Sequence, residues 1–258
     1  MKKDDISLNK FISKTGFCSR READKLIAAG RVTINDTLGQ SGNRVTYNDK
    51  IKIDGELLKT KDDSVYIAFN KPIGVSSTTD RKDKFNIIDY INHPKRIFPI
   101  GRLDKPSEGL IFLTNDGDIV NKILRAGNNH EKEYLVTVDK PVTKEFIIAM
   151  SNGVNILDTI TKKCVVKQDS KNVIRIILTQ GLNRQIRRMC SALGYHVTKL
   201  VRVRIMSITL AGILPGKWRY LTPDEINAIQ RLVATSIKTE EASLPKKDQK
   251  NNSNLFLK

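Results

Sequence analysis

One stretch of the chain has the composition of a reactive site. In Gly101-Arg102-Leu103-Asp104-Lys105-Pro106-Ser107-Glu108-Gly109-Leu110, an apolar segment (97–100) ends at a glycine. An acid then stands between two cations before a second glycine turn. A carboxylate in that setting can cap a turn, or it can serve as a base or nucleophile, and the segment alone leaves both open. A second segment bears on the choice. Within 183–193, Ile186, Met189, Cys190 and Leu193 recur at the spacing of one helix face, with Arg184 and Arg188 opposite. At about 100° per residue Arg187 falls on the border between the faces, half buried and in need of an anion. A carboxylate or an RNA phosphate would serve.

Other chemistries find less support. His93, His130 and His196 are scattered, and no cysteine pair has metal-ligand spacing. Asn115-Asp116-Gly117-Asp118 has the start of a calcium loop without its later ligands, and reads as a turn whose Asp118 caps the next helix. Neither a G-x-x-x-x-G-K-[ST] loop nor a G-x-G-x-x-G after a strand is present. No metal and no cofactor are expected, and the serines and cysteines lack a plausible histidine partner for nucleophilic catalysis.

Two structural units must position these residues. Residues 1–60 read as a small module with a helix over 8–15 stopped by Gly16. Ser19-Arg20-Arg21-Glu22 is a capping box opening a second helix that ends at Gly30. Strands are expected at 32–34 and 51–53, with Asp54-Gly55 as a tight turn into 56–58. Arg21 and Lys25 lie four apart, opposite Ala23, Leu26 and Ile27, which gives a basic face suited to a phosphate backbone. Residues 61–65 read as a linker and 66–235 as the larger domain. Its predicted strands are 65–69, 96–103, 110–114, 133–138, 173–179 and 197–205; its predicted helices are 86–91, 118–125, 143–151, 183–193 and 222–233. Irregular strand lengths and frequent hairpin signals predict an α+β fold with a mixed, mainly antiparallel sheet. Residues 236–258 read as a disordered polar tail.

The charge balance names a partner class. The 258 residues carry 45 Lys and Arg against 28 Asp and Glu, a net charge of +17, for which polyanions are the default partner. Between Asp169 and Asp224 the chain has ten cations and no acid. No apolar run exceeds five residues, against the roughly 20 a bilayer span requires, so no membrane association is expected. A charged start without an apolar core predicts no secretion signal, and three dispersed cysteines fit reduced thiols in the cytoplasm. With no coiled-coil heptads and no unused apolar stripe, a monomer is expected.

Several motifs in register carry a family resemblance. Gly101-Arg102-Leu103-Asp104 followed by Gly109-Leu110, Lys132-Glu133-Tyr134, and Gly181-Leu182-Asn183-Arg184-Gln185-Ile186-Arg187-Arg188-Met189 resemble the motifs of the RsuA-type pseudouridine synthases. Leu8-Asn9-Lys10 and Ser19-Arg20-Arg21-Glu22-Ala23-Asp24 resemble the S4 RNA-binding domain (an α-L fold) that precedes the catalytic domain there. The resemblance spans roughly residues 6–235. It includes the subgroup that acts on the large ribosomal subunit, whose pattern Leu182, 121–128, 130–138 and 161–164 match.

The resemblance implies a reaction. The bond from uracil N1 to the ribose breaks, the base turns, and it rejoins through C5. Asp104 would be the indispensable group, as nucleophile or as base toward the ribose 2′ proton. Arg187 would be the cation that pairs with it, and Tyr134 would stack on the target base and assist loss of the C5 proton. The uridine must leave its stack to reach such a pocket. Arg102 would fill the vacated space. Arg184, Gln185, Arg188 and Lys105 would hold flanking phosphates, with Lys10, Arg20, Arg21 and Lys25 as a second grip.

Three functions follow for comparison. Isomerisation of a uridine in large-subunit (23S) ribosomal RNA leads. The same chemistry on small-subunit ribosomal RNA or a transfer RNA stem-loop is the second. A ribosome-assembly RNA-binding protein with an idle site is the third; the joint presence of Asp104, Tyr134 and Arg187 argues against it.

Overall fold

Ser19 opens its helix as the spacing predicts: its Oγ accepts from Glu22 N at 3.2 Å while Glu22 Oε2 accepts from Ser19 N at 2.7 Å. In this computed structural model, which describes residues 5–59, 64–124 and 129–234, the chain divides into two units. The smaller runs through Val65 and also takes in His93–Ile97 and Asn115–Gly117. It contains β1 (Ile6–Ser7), α1 (Leu8–Lys14), α2 (Arg20–Ala28), β2 (Val32–Ile34), β3 (Thr37–Leu38), β4 (Arg44–Val45), β5 (Ile51–Ile53) and β6 (Glu56–Leu57). The order β3-β2-β5-β6 is antiparallel throughout, and β1 pairs with β4. Leu8, Phe11 and Ile12 of α1 pack with Ala23 and Ile27 of α2 and with Val32, Val45, Ile51 and Ile53. This core draws only on residues inside the module. Arg20, Arg21 and Lys25 stay exposed on the other side of α2.

The larger unit is built on one mixed sheet. Its elements are β7 (Tyr66–Lys71), α3 (Ile87–Ile91), β8 (Phe98–Ile100), β9 (Glu108–Thr114), α4 (Gly117–Leu124), β10 (Lys132–Val138), α5 (Lys144–Asn152), β11 (Asn155–Ile156) and β12 (Thr159–Ile160). There follow β13 (Val165–Ser170), β14 (Val173–Leu178), α6 (Gln185–Ala192), β15 (Val197–Ile205), β16 (Ile208–Thr209), β17 (Trp218–Tyr220) and α7 (Pro223–Val233). The main path is β13-β14-β10-β15-β9-β7-β17, with β16 on β15 and β8 on β9. Among the described strands, only the β9–β15 pair is parallel. Tyr66, Ala68, Leu110, Phe112 and Ile205 of the sheet bury against Ile119 and Ile123 of α4 and Ile229 and Val233 of α7. The Thr222 and Glu225 capping box holds the start of α7, with Pro223 in its first turn.

Some expectations need correction. The strand expected over 96–103 is only β8, because Gly101 takes a left-handed φ of 80° and ends it, so Arg102 sits in a loop. Helix α4 starts at Gly117, which puts Asp118 inside the first turn and not at the cap. Helix α6 starts at Gln185, with Arg184 left-handed at its N-cap. Edge strand β13 has no alternation to betray it, since five of its six residues are exposed. The expected tail over 236–258, most of the expected linker and the end of the 121–128 motif lie outside the described residues. Among the described residues, no helix is long and apolar enough to cross a membrane.

Candidate active site

Asp104 lies in a loop that the backbone holds on both sides. The buried Ser77 hydroxyl donates to Leu103 O at 2.9 Å and accepts from Leu103 N at 3.1 Å. On the other side, Ser107 N donates to Asp104 O at 2.9 Å, closing the turn Asp104-Lys105-Pro106-Ser107. With Leu103 buried between these two clamps, the Asp104 side chain remains about one-third exposed.

The second glycine of the motif has a steric reason. Gly109 adopts a φ of 110°, and a Cβ there would lie 2.3 Å from Arg202 O, so only glycine lets β9 and β15 approach this closely. Across the sheet, the β10–β15 register shifts between Glu133 and Tyr134, so Glu133 faces Arg204 and Tyr134 faces Arg202. This bulge turns Tyr134 and Arg202 to adjacent positions. Both are buried, and both line the same cavity.

That cavity is about 450 Å³ and lies within the larger unit. Asp104, Tyr134, Arg184 and Arg187 all line it, with Arg102, Lys132 and Arg202. Phe112, Leu178, Leu200 and Ile205 give it an apolar wall. Its size suits one small planar ligand with a few fixed polar contacts. Lys105 sits outside it, on a polar cleft that shares Arg102 and Asp104.

The cations are arranged differently from the expectation. Arg184 Nη1 is the guanidinium at ion-pair distance from Asp104 Oδ2, at 3.8 Å. Arg187 instead donates to Val197 O, Pro106 O and Ser107 Oγ, each at 3.1 Å. Three neutral oxygens therefore satisfy most of the half-buried guanidinium, and its Nε is buried without a partner among the described residues. Burial and the Arg184 charge push Arg187 below the ordinary arginine value, and the Asp104 charge pulls it back. Gln185 is buried, accepts from Leu182 N at 3.0 Å and faces Gln180 and Met189. It braces the loop into α6 and is not open to a phosphate. Arg188 is exposed and binds Asn183 through Nε and Nη2. Lys10, Arg20, Arg21 and Lys25 belong to the smaller unit.

The acid-free run is acid-free only along the chain. Arg175 pairs with Glu133 and Asp169, Arg204 with Glu131 and Glu133, Lys199 with Glu108 and Arg219 with Glu225. Antiparallel pairing brings Glu133 and Asp169 alongside, the parallel β9–β15 pair brings Glu108, and the start of α7 brings Glu225. The Arg204 and Arg175 bonds hold the Glu133 carboxyl below its ordinary range.

Three buried cations were not singled out by sequence reasoning. Lys71 is fully buried and donates to Pro72 O at 2.9 Å and Val75 O at 2.8 Å. Lys132 donates to His130 O at 3.2 Å, and Arg202 Nε to Leu110 O at 2.6 Å. Burial drives both lysines down to about 8. For Lys71 the Asp104 charge opposes the fall, and for both the Arg202 charge adds to it. In sequence Lys71 falls just past the strand expected over 65–69, and Arg202 is one of the ten cations of the acid-free run. Lys71 follows the apolar run 65–69 with only Asn70 between, and that closeness was the available signal.

An S4-like module, a mixed sheet and an aspartate at an arginine-lined cavity define a class, and the comparisons agree with it. The RNA pseudouridylate synthase family matches residues 65–192 and the S4 domain family matches residues 7–57. The chain belongs to the S4-containing RNA pseudouridine synthases and is an enzyme that makes pseudouridine in RNA. It is 59% identical over 231 residues to the dual-specificity RNA pseudouridine synthase RluF of Salmonella typhi, covering 89% of this chain and 80% of that one. It is 35% identical over 234 residues to ribosomal large subunit pseudouridine synthase B of Bacillus subtilis, covering 87% and 96%. A crystal structure of a pseudouridylate synthase superposes with a TM-score of 0.64 at 28% identity, over 87% of this chain and 99% of that one.

Proposed function

We propose that the enzyme isomerises a uridine in large-subunit ribosomal RNA, as a cytoplasmic monomer, with Asp104 as its catalytic carboxylate. The observation that carries this reading is the convergence of Asp104, Tyr134 and Arg187 on one cavity of about 450 Å³, which has room for a flipped base. The uridine flips into it and stacks on Tyr134. Asp104 attacks the sugar or the base, or removes the ribose 2′ proton, and the N1–C1′ bond breaks. The detached uracil turns and bonds through C5 to C1′, and Asp104 leaves the carbon it attacked, or returns the 2′ proton it took; C5 then loses its proton, with Tyr134 assisting, and N1 gains one. Arg187 acts on Asp104 through the turn it holds and through its charge, while Arg184 lies nearest the carboxylate. Arg102 fills the space the base leaves, and Lys105 and Arg188 take flanking phosphates. Lys10, Arg20, Arg21 and Lys25 supply a second grip, which raises affinity through effective concentration.

The dual specificity in the name of the RluF relatives favours a second substrate, a transfer RNA stem-loop. The test is pseudouridine mapping of ribosomal and transfer RNA from cells with and without the protein. Loss at a large-subunit position supports the first substrate and loss in a transfer RNA the second. Unchanged large-subunit RNA rejects the leading reading.

A further inference from the structure

Beside the Asp104 turn lies a second concavity, of about 660 Å³, that no catalytic step uses. Ile73, Phe85 and Tyr90 line it with Lys84, Asp89 and Lys105. Its apolar side chains are unusually open for their size: Phe85 is 63% exposed, Ile73 58% and Tyr90 49%. The Lys105 ammonium stands over the Phe85 ring, 4.9 Å from its centroid.

The backbone beneath these side chains is firmly tied. Lys71, inaccessible to solvent, bonds both ends of the Pro72–Val75 bend that carries Ile73. Gly74 N donates to Lys105 O at 2.9 Å, which joins that bend to the residue after Asp104. Phe85 O accepts from Ser76 N at 2.8 Å and Phe85 N donates to Asp83 Oδ1 at 2.9 Å. The Tyr90 ring packs on Phe69 at 5.7 Å. Asp89, the acid of the groove, is already engaged: Asn86 Nδ2 donates to it at 2.7 Å and Arg81 lies 3.8 Å away.

An exposed flat ring on a fixed backbone, with a cation over one face, offers its other face to an unpaired nucleobase and the cation to the adjoining phosphate. We infer that the Phe85–Tyr90 groove binds one unpaired base of the RNA substrate, next to the flipped uridine, with Lys105 on the intervening phosphate. The occupant is RNA because the substrate is RNA and because Lys105 links the groove to the Asp104 turn. The inference rests on the reading of Asp104 as the catalytic residue.

The test uses full-length protein carrying Asp104→Asn, so that binding is read without conversion. The probe is a synthetic stem-loop spanning the uridine that the wild-type enzyme converts, and the same RNA with the base removed at each neighbouring position in turn. Phe85→Ala should weaken binding roughly five- to 150-fold, and Phe85→Trp should restore it. At one position, removing the base should cost the parent protein the same factor and cost Phe85→Ala nothing further. Unchanged affinity in Phe85→Ala, or additive losses at every position, overturns the inference. Dissociation of a dimer by Phe85→Ala in sedimentation also overturns it, because the groove would then be an interface between copies. Failure of the Asp104 reading shows separately, as pseudouridine formed by Asp104→Asn.

Discussion

The guanidinium of Arg187 donates to Ser107 Oγ at 3.1 Å and so grips the turn that carries Asp104 from its far end. The contact to the carboxylate itself comes from Arg184, at 3.8 Å. The two arginines therefore fail differently. Arg187→Lys loses a planar fork that spans Val197, Pro106 and Ser107, and a lysine cannot replace it. Its single-turnover rate at saturating RNA is expected to fall about 10- to 100-fold through misplacement of Asp104.

Arg184 is half exposed at the cavity mouth. Arg184→Gln is expected to weaken RNA binding and to lower the slope of log affinity against log salt by about one. Titrations at several salt concentrations check it. An unchanged slope means that Arg184 meets no phosphate.

Ser77→Ala leaves Leu103 N–H buried without its acceptor. The expected loss of folding stability is about 1–3 kcal/mol, read by urea denaturation, with a fall in turnover as the loop before Asp104 slackens. Full stability and full rate together would show that the turn at Ser107 suffices.

Lys132 sets a pH trend. Its folded value of about 8 lies below the ordinary 10.5, so between those values the unfolded chain binds a proton that the folded one does not. Stability from this group therefore rises from about pH 8 to about 10.5 and is least favourable below pH 8, where the buried ammonium is charged. Lys132→Met is expected to raise stability near pH 7 by about 1–3 kcal/mol and to flatten that rise. Lys71, lowered for the same reason, keeps part of the trend in the variant. Urea midpoints near pH 7 and near pH 10 check it.

The basic face of α2 acts on binding. Replacing exposed Arg20, Arg21 and Lys25 together by serine is expected to raise the RNA Kd about tenfold or more at moderate salt, with a smaller loss in the rate of the bound reaction. Equal losses in both would contradict a separate grip.

The legible parts were those whose signal is local. The Ser19 and Thr222 capping boxes, the Asp54-Gly55 turn and β15 are as their residues predict. The motif glycines marked the right turn, because Gly101 and Gly109 both take a left-handed φ and at Gly109 a Cβ would also strike the Arg202 backbone. What stayed hidden depends on contacts between distant strands. The partners of Arg187 come from positions 106, 107 and 197. Glu131 and Glu133 neutralise Arg204 only through the β10–β15 pairing. Gln185 looks like a surface polar residue on a helix until the preceding loop folds over it. Charge counted along a sequence cannot show which cations a sheet will pair.

The central claim is that one carboxylate, held between Ser77 and Ser107, does the chemistry. Asp104→Asn keeps the shape of the turn and removes the charge. Single-turnover conversion of the substrate stem-loop by the purified variant tests the claim most directly. No pseudouridine should form, while the RNA still binds and the protein melts like the wild type. Pseudouridine formed by Asp104→Asn at a rate near wild type would contradict it.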